Sequence, residues 1–154
     1  MIINQNKSPR KLPSFRTEPS ILLVIAPYYR DITNALLEGA NIVLREVNAK
    51  VEMVEVSGAL EIPTAIHLAS RHFLGFVALG CVIRGETSHY ETVTNESSRS
   101  LSNLGLQGLC VGNGILTVEN HAQARDRADP STQDKGGGAA EASLCLLALK
   151  EKFS

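Results

Sequence analysis

Two runs in this chain are apolar at every position, Ile21-Leu22-Leu23-Val24-Ile25-Ala26 and Phe76-Val77-Ala78-Leu79. A strand with one face in water alternates apolar and polar side chains. Runs without alternation suit strands covered on both faces, which points to a parallel sheet clad in helices. Parallel strands need long crossovers between them, usually helical, so the connecting segments must supply amphipathic helices.

They have that pattern. After the first run stops at Pro27, residues Ile32, Ala35, Leu36, Gly39, Val43 and Val47 recur at helical spacing, and Asp31 is placed to accept the free amides of the first turn. Val51, Met53, Val54 and Val56 predict a second strand, broken at Ser57-Gly58-Ala59. Pro63 then opens a helix reaching about Phe73. The strand Phe76 to Leu79 is followed by a loop and by a polar helix from Tyr90 to about Leu101, with Val93 among its few core-facing residues. So narrow an apolar stripe suits an oligomer interface or a pore. Leu109-Cys110-Val111 and Ile115 to Val118 form a fourth strand, with Gly112-Asn113-Gly114 as a bulge or a point of close approach. Helices at Asn120 to Ala128 and roughly Gly138 to Lys150 end the chain, and Gly136-Gly137-Gly138, between the helices, is read as allowing close backbone approach. The order β-α-β-α-β-α-β-α-α predicts an α/β fold, a parallel sheet with right-handed crossovers and helices on both faces.

At 154 residues the chain fits one domain, expected over 20–154 behind a flexible segment 1–19. Its 15 basic and 16 acidic residues, without a basic run, give no electrostatic reason to expect nucleic acid or an anionic membrane. No apolar stretch approaches a membrane span, and Met1 to Ser20, with Pro9, Pro13 and Pro19, is unlike a signal peptide, so a cytoplasmic protein is expected. Cys81, Cys110 and Cys145 stand far apart among apolar neighbours and read as core residues of a reducing compartment. His67, His72, His89 and His121 lack the spacing of a helical metal pair.

Ligands of open α/β sheets bind beyond the carboxyl ends of the strands. Four segments are expected to converge there: Pro27-Tyr28-Tyr29-Arg30, Ser57 to Glu61, Cys81 to His89, and a turn around Asn113. Imidazole moves protons near neutral pH, so His89 is the candidate acid/base, unless it only caps a helix. Arg84 reads as an ion-pair partner of Glu86 or Glu96 that locks its loop. Tyr28 and Tyr29 suit either stacking on a heterocycle or ordinary packing. Gly85 to Ser88 precede a helix amino terminus, a weak phosphate signal by itself. Arg125, Arg127 and Lys135 form either a solvated face or, with the glycines after Lys135, a cradle for phosphate or polyol. The dinucleotide and triphosphatase glycine motifs are missing.

Taken together, Leu36 to Ala40, Ser57-Gly58-Ala59-Leu60-Glu61-Ile62-Pro63, Ala78 to Tyr90, Asn95-Glu96, Gly114 to Asn120 and Asp134-Lys135-Gly136-Gly137 resemble the lumazine synthase family in order and spacing, across about residues 21 to 150. The pairing of Val-Ile-Arg-Gly-x-Thr-x-His with Gly-Ala-x-Glu-Ile-Pro is highly specific to it. The resemblance implies a three-layer α/β/α sandwich with a four-stranded parallel sheet in flavodoxin-like order. It implies condensation of 5-amino-6-(D-ribitylamino)uracil with 3,4-dihydroxy-2-butanone 4-phosphate to 6,7-dimethyl-8-ribityllumazine, phosphate and water, the penultimate step of riboflavin biosynthesis, with no metal or redox cofactor. By the same resemblance Tyr28 stacks on the ring, Ala59, Leu60 and Glu61 hold the ribityl chain, and Cys81, Val82 and Ile83 border the pyrimidine. Arg127 binds phosphate with Glu86 and Thr87, Lys135 helps with ribityl or phosphate oxygens, and His89 transfers the proton. Family members share sites between neighbouring subunits of a pentamer, with Asn113, Arg127 and Lys135 on the neighbour's side, and some build a sixty-subunit shell. The leading prolines and Asp129-Pro130 argue against the shell. Riboflavin synthase is the expected downstream partner.

The chain departs from the family pattern at Tyr28, Ser57, Asn113, Asp129 and Ser131, and Asn113 removes an apolar contact with the ring. Two rivals remain: a non-catalytic riboflavin- or lumazine-binding paralogue of the same fold, and a phosphosugar lyase or aldolase using Lys135 as Schiff-base nucleophile.

Overall fold

The computed structural model describes residues 9–154. Four strands, β1 (Ser20–Ile25), β2 (Lys50–Glu55), β3 (Gly75–Ile83) and β4 (Cys110–Val118), form one parallel sheet in the order β2-β1-β3-β4. Five α-helices cover it: α1 (Arg30–Glu46), α2 (Ile62–Leu68), α3 (His89–Leu106), α4 (His121–Ala128) and α5 (Lys135–Lys152). A 3-10 turn, Ala59–Glu61, leads into α2.

The two sheet faces have separate cores. Ile21, Leu23, Val77, Leu79, Cys81, Leu116 and Val118 pack with α1, α4 and α5. Leu22, Val24, Ala26, Phe76 and Ala78 pack with α2 and α3. The unalternating runs are therefore buried on both faces, which gives the expected three-layer sandwich. β2 is an edge strand whose six residues are all exposed, Val51, Met53 and Val54 included.

Several boundaries differ from those expected. β3 continues through Gly80 to Ile83, because its ladder with β4 runs on to Ile83↔Val118. No bulge interrupts β4: the register is unbroken from Gly75↔Cys110 onward. Its glycines serve close approach, since a Cβ on Gly112 would lie 1.8 Å from the Ala139 carbonyl oxygen of α5. The three-glycine stretch does allow close approach, though inside the first turn of α5 rather than between helices: a Cβ on Gly136 would meet the Leu36 carbonyl of α1 at 2.0 Å. α2 ends at Leu68 rather than near Phe73, whose ring leaves the helix to pack edge-on against Phe76. α3 runs past Leu101 to Leu106 and buries the narrow stripe Val93, Ser97, Leu101 and Leu104.

Part of the leading segment, residues 1–8, lies outside the described residues. From residue 9 the chain runs without regular structure to β1, and Leu12 and Phe15 pack against the core beside α1 and α5. Cys81 and Cys110 are buried as expected. Cys145 is exposed, because it falls on the outer face of α5.

Candidate functional site

Three segments converge beyond the carboxyl ends of the strands. Pro27-Tyr28-Tyr29 joins β1 to α1, the 3-10 turn Ala59–Glu61 packs against β3 and α3, and Arg84 to Ser88 joins β3 to α3. Tyr28 is 77% exposed, with Tyr29 edge-on to it at 4.9 Å between centroids, so one broad face of the pair is open to a flat ligand. Leu60 and Glu61 are exposed and Ala59 half-buried. Gly58 is extended, and a Cβ there would meet Glu61 Oε2 at 3.0 Å.

Alternation along β3 sorts its end. Cys81 and Ile83 turn toward the α1 and α4 core, while Val82 falls on the opposite face. The Cys81 side chain therefore cannot border a ligand on the α2 and α3 side, although its backbone can. Burial, and then the Asp31 carboxylate, push its thiol up to about 11. Tyr29 is raised too, first by burial and then by Tyr28 and Cys81.

Arg84 fastens the loop that follows, though not to the partners expected. It pairs with Glu91 in the first turn of α3 and with Glu119 at 2.8 Å, and its guanidinium lies 4.1 Å from the centre of the Tyr90 ring. Neither Glu86 nor Glu96 pairs with it among the described residues, and Glu96 pairs with Arg99. The Glu91 bond, then the Glu119 bond, raise the Arg84 pKa, and Arg84 holds the Glu91 carboxyl low. Glu119 is itself anchored, its amide donating to Gln123 Oε1 while Asn120 Oδ1 accepts the Gln123 amide. Two strand ends and a helix start are thus joined around Glu86, Thr87, Ser88 and His89, all exposed. His89 is the first residue of α3, and its amide donates to Thr87 Oγ1 at 3.3 Å. Its imidazole makes no capping bond and has no hydrogen-bond partner among the described residues.

Asp31 does not cap α1. That place belongs to Tyr29, which makes no side-chain cap bond, and Asp31 instead pairs with His121 at 3.1 Å.

The remaining expected site residues lie apart. Asn113 is not in a turn: it sits within β4 opposite Ala78, four positions before Val82, or roughly 13 Å back along the strand. Its Oδ1 accepts the amide of Ile115. Arg127 and Lys135 belong to α4 and α5, in the layer on the other side of the sheet. Both are half-buried, and neither makes an ion pair among the described residues, so both cations are available to an anion. One chain therefore brings Tyr28, Ala59, Leu60, Glu61, Val82, Ile83, Glu86, Thr87 and His89 to one edge, and leaves Asn113, Arg127 and Lys135 away from it. Among the described residues no cluster of three His, Cys, Asp or Glu could hold a metal ion, and no helix is long and apolar enough to cross a membrane.

Fold and site together define a small parallel α/β protein whose candidate site lies at the exposed carboxyl edge of the sheet. A family model described as 6,7-dimethyl-8-ribityllumazine synthase matches residues 18–151. The chain is 55% identical over 144 residues to the protein of that name from Jannaschia sp. (strain CCS1), an alignment covering 92% of this chain and 81% of that one. It is 53% identical over 135 residues to the one from Novosphingobium aromaticivorans, covering 86% and 97%. With the one from Agrobacterium fabrum it shares 49% identity over 145 residues, covering 89% and 98%. The chain belongs to the 6,7-dimethyl-8-ribityllumazine synthase family.

Proposed function

We propose that this protein is an enzyme, a transferase that condenses 5-amino-6-(D-ribitylamino)uracil with 3,4-dihydroxy-2-butanone 4-phosphate to 6,7-dimethyl-8-ribityllumazine, releasing phosphate and water. The observation that carries the reading is the family match over residues 18–151, which takes in every residue of the candidate site. Tyr28 stacks on the pyrimidine ring, and the backbone of Cys81, Val82 and Ile83 borders it. Ala59, Leu60 and Glu61 line the ribityl chain. The open imidazole of His89 transfers protons during imine formation and ring closure. Glu86, Thr87 and the guanidinium of Arg127 receive the phosphate, and Lys135 the ribityl or phosphate oxygens. Holding two reactive substrates in attack geometry is worth several kcal/mol, so orientation contributes most and proton transfer assists.

The site is completed between subunits. Asn113, Arg127 and Lys135 of a neighbouring copy close the edge that one chain leaves open. The exposed apolar side chains of β2 favour such a neighbour, because an unpaired apolar edge strand is an association surface. The assembly proposed is a pentamer in the cytoplasm, where free cysteines suit a reducing compartment. Riboflavin synthase consumes the product.

Purified protein mixed with both substrates should yield the fluorescent lumazine and one equivalent of phosphate. Riboflavin binding without turnover at saturating substrate would move the assignment to a binding paralogue, and borohydride trapping of substrate on Lys135 to a Schiff-base enzyme.

A further inference from the structure

The family match begins at residue 18, yet a side chain from ahead of it reaches the start of α5. Arg10 Nη1 lies 2.8 Å from Asp134 Oδ2, and Arg10 Nε donates to Glu141 Oε2 at 2.9 Å. Asp134 immediately precedes Lys135 and caps α5, its Oδ1 accepting the Gly137 amide at 3.1 Å. Its side chain is only 7% exposed and its backbone is left-handed, with φ of 48°. The carboxylate is wedged against α1, at a place where a Cβ on Gly39 would fall 2.1 Å from Oδ1. Leu12 and Phe15 hold the leading segment in place by packing on the core beside both helices.

A carboxylate so far from water needs its charge met. The helix terminus supplies an amide and part of its dipole, and Arg10 supplies a full countercharge. With Arg10 removed, the adjacent cation is Lys135, which would be drawn toward Asp134. An uncompensated carboxylate there would also repel an oxyanion approaching the lysine.

We propose that Arg10 is a positioning residue for Lys135. By neutralising Asp134 it fixes the turn on which Lys135 stands and leaves the lysine ammonium free for a phosphate or polyol oxygen of the substrate. This rests on Lys135 being a substrate ligand.

The test uses the full chain and its Arg10→Met, Arg10→Lys and Lys135→Ala variants. Steady-state lumazine formation is measured at varied butanone phosphate, and inorganic phosphate affinity by calorimetry, which reads binding without turnover. Arg10→Met should raise KM and weaken phosphate binding together by about three- to tenfold, with kcat within about twofold, and Arg10→Lys should recover most of both. Unchanged KM and phosphate affinity in Arg10→Met, while Lys135→Ala shifts both, would overturn the proposal alone. So would a loss in kcat and melting temperature that Arg10→Lys does not rescue, because that marks a purely structural contact. If Lys135→Ala changes neither quantity, the role given to Lys135 falls and the proposal falls with it.

Discussion

Arg84 Nε donates to the Glu119 carboxylate at 2.8 Å, fastening the residue after β3 to the residue after β4 at the start of the loop that leads to His89. With Glu91 as second partner, the same guanidinium holds the first turn of α3. All three groups are substantially exposed, so the network acts on local order more than on global stability. Arg84→Met should lower kcat/KM by about tenfold, since a small misplacement of catalytic groups is costly. Its melting temperature should stay close to wild type, and amide exchange should speed up over residues 85–92. Unchanged exchange in that window would separate Arg84 from the loop.

His89 has an exposed imidazole at the open edge of the proposed site. His89→Ala should reduce kcat by about 10²-fold while lumazine formation stays measurable, because general acid/base help is the smaller share of the acceleration. Stopped-flow fluorescence at saturating substrates checks this. Complete loss of turnover in a folded, ligand-binding variant would show instead that proton transfer supplies most of the acceleration.

Two glycines should respond in opposite directions. Gly112→Ala drives a methyl into the Ala139 carbonyl, forcing β4 and α5 apart at a cost of about 3 kcal/mol. Gly138, in the first turn of α5 with nothing within 4 Å of a Cβ, should gain about 0.5–1 kcal/mol as alanine. Urea unfolding of the two variants measures both.

Cys81 keeps its proton until about pH 11, whereas an unfolded thiol loses it near pH 8.5. The folded state thus holds the proton more tightly. The associated stability is fully present below the unfolded pKa and is lost as pH rises through the folded one, about 3 kcal/mol in all. Wild type should lose more stability than Cys81→Ala between pH 8 and pH 11. Parallel curves for the two proteins would rule the effect out. Exposed Cys145 should alkylate first at pH 8, with Cys81 and Cys110 protected until denaturant is added.

Much of the candidate edge was legible in the sequence. The exposed histidine at the strand end, the aromatic pair after the first strand and the glycine turn before Pro63 all follow from where apolar runs stop. The pairing of Arg84 with Glu119 was not, because Glu86 and Glu96 are nearer in sequence, and only the β3·β4 register brings Glu119 beside it. The close approach expected at Gly112 and Gly136 is present, but its partners were not legible, for a related reason. Glycine marks a turn or a close contact equally well, and the contacts with Ala139 and Leu36 come from distant segments.

The sequence by itself determined the layered parallel α/β architecture, since unalternating apolar strands must be covered on both faces and helical periodicity supplies the cover. It also determined the family, through motifs whose order and spacing survive without coordinates. Only the tertiary structure decided that Asn113 lies inside a strand, that Arg127 and Lys135 stand on the far side of the sheet from His89, and that Arg10 compensates the buried cap of α5. Those relations depend on strand register and helix packing, which join residues far apart in the chain and leave no local periodicity to read.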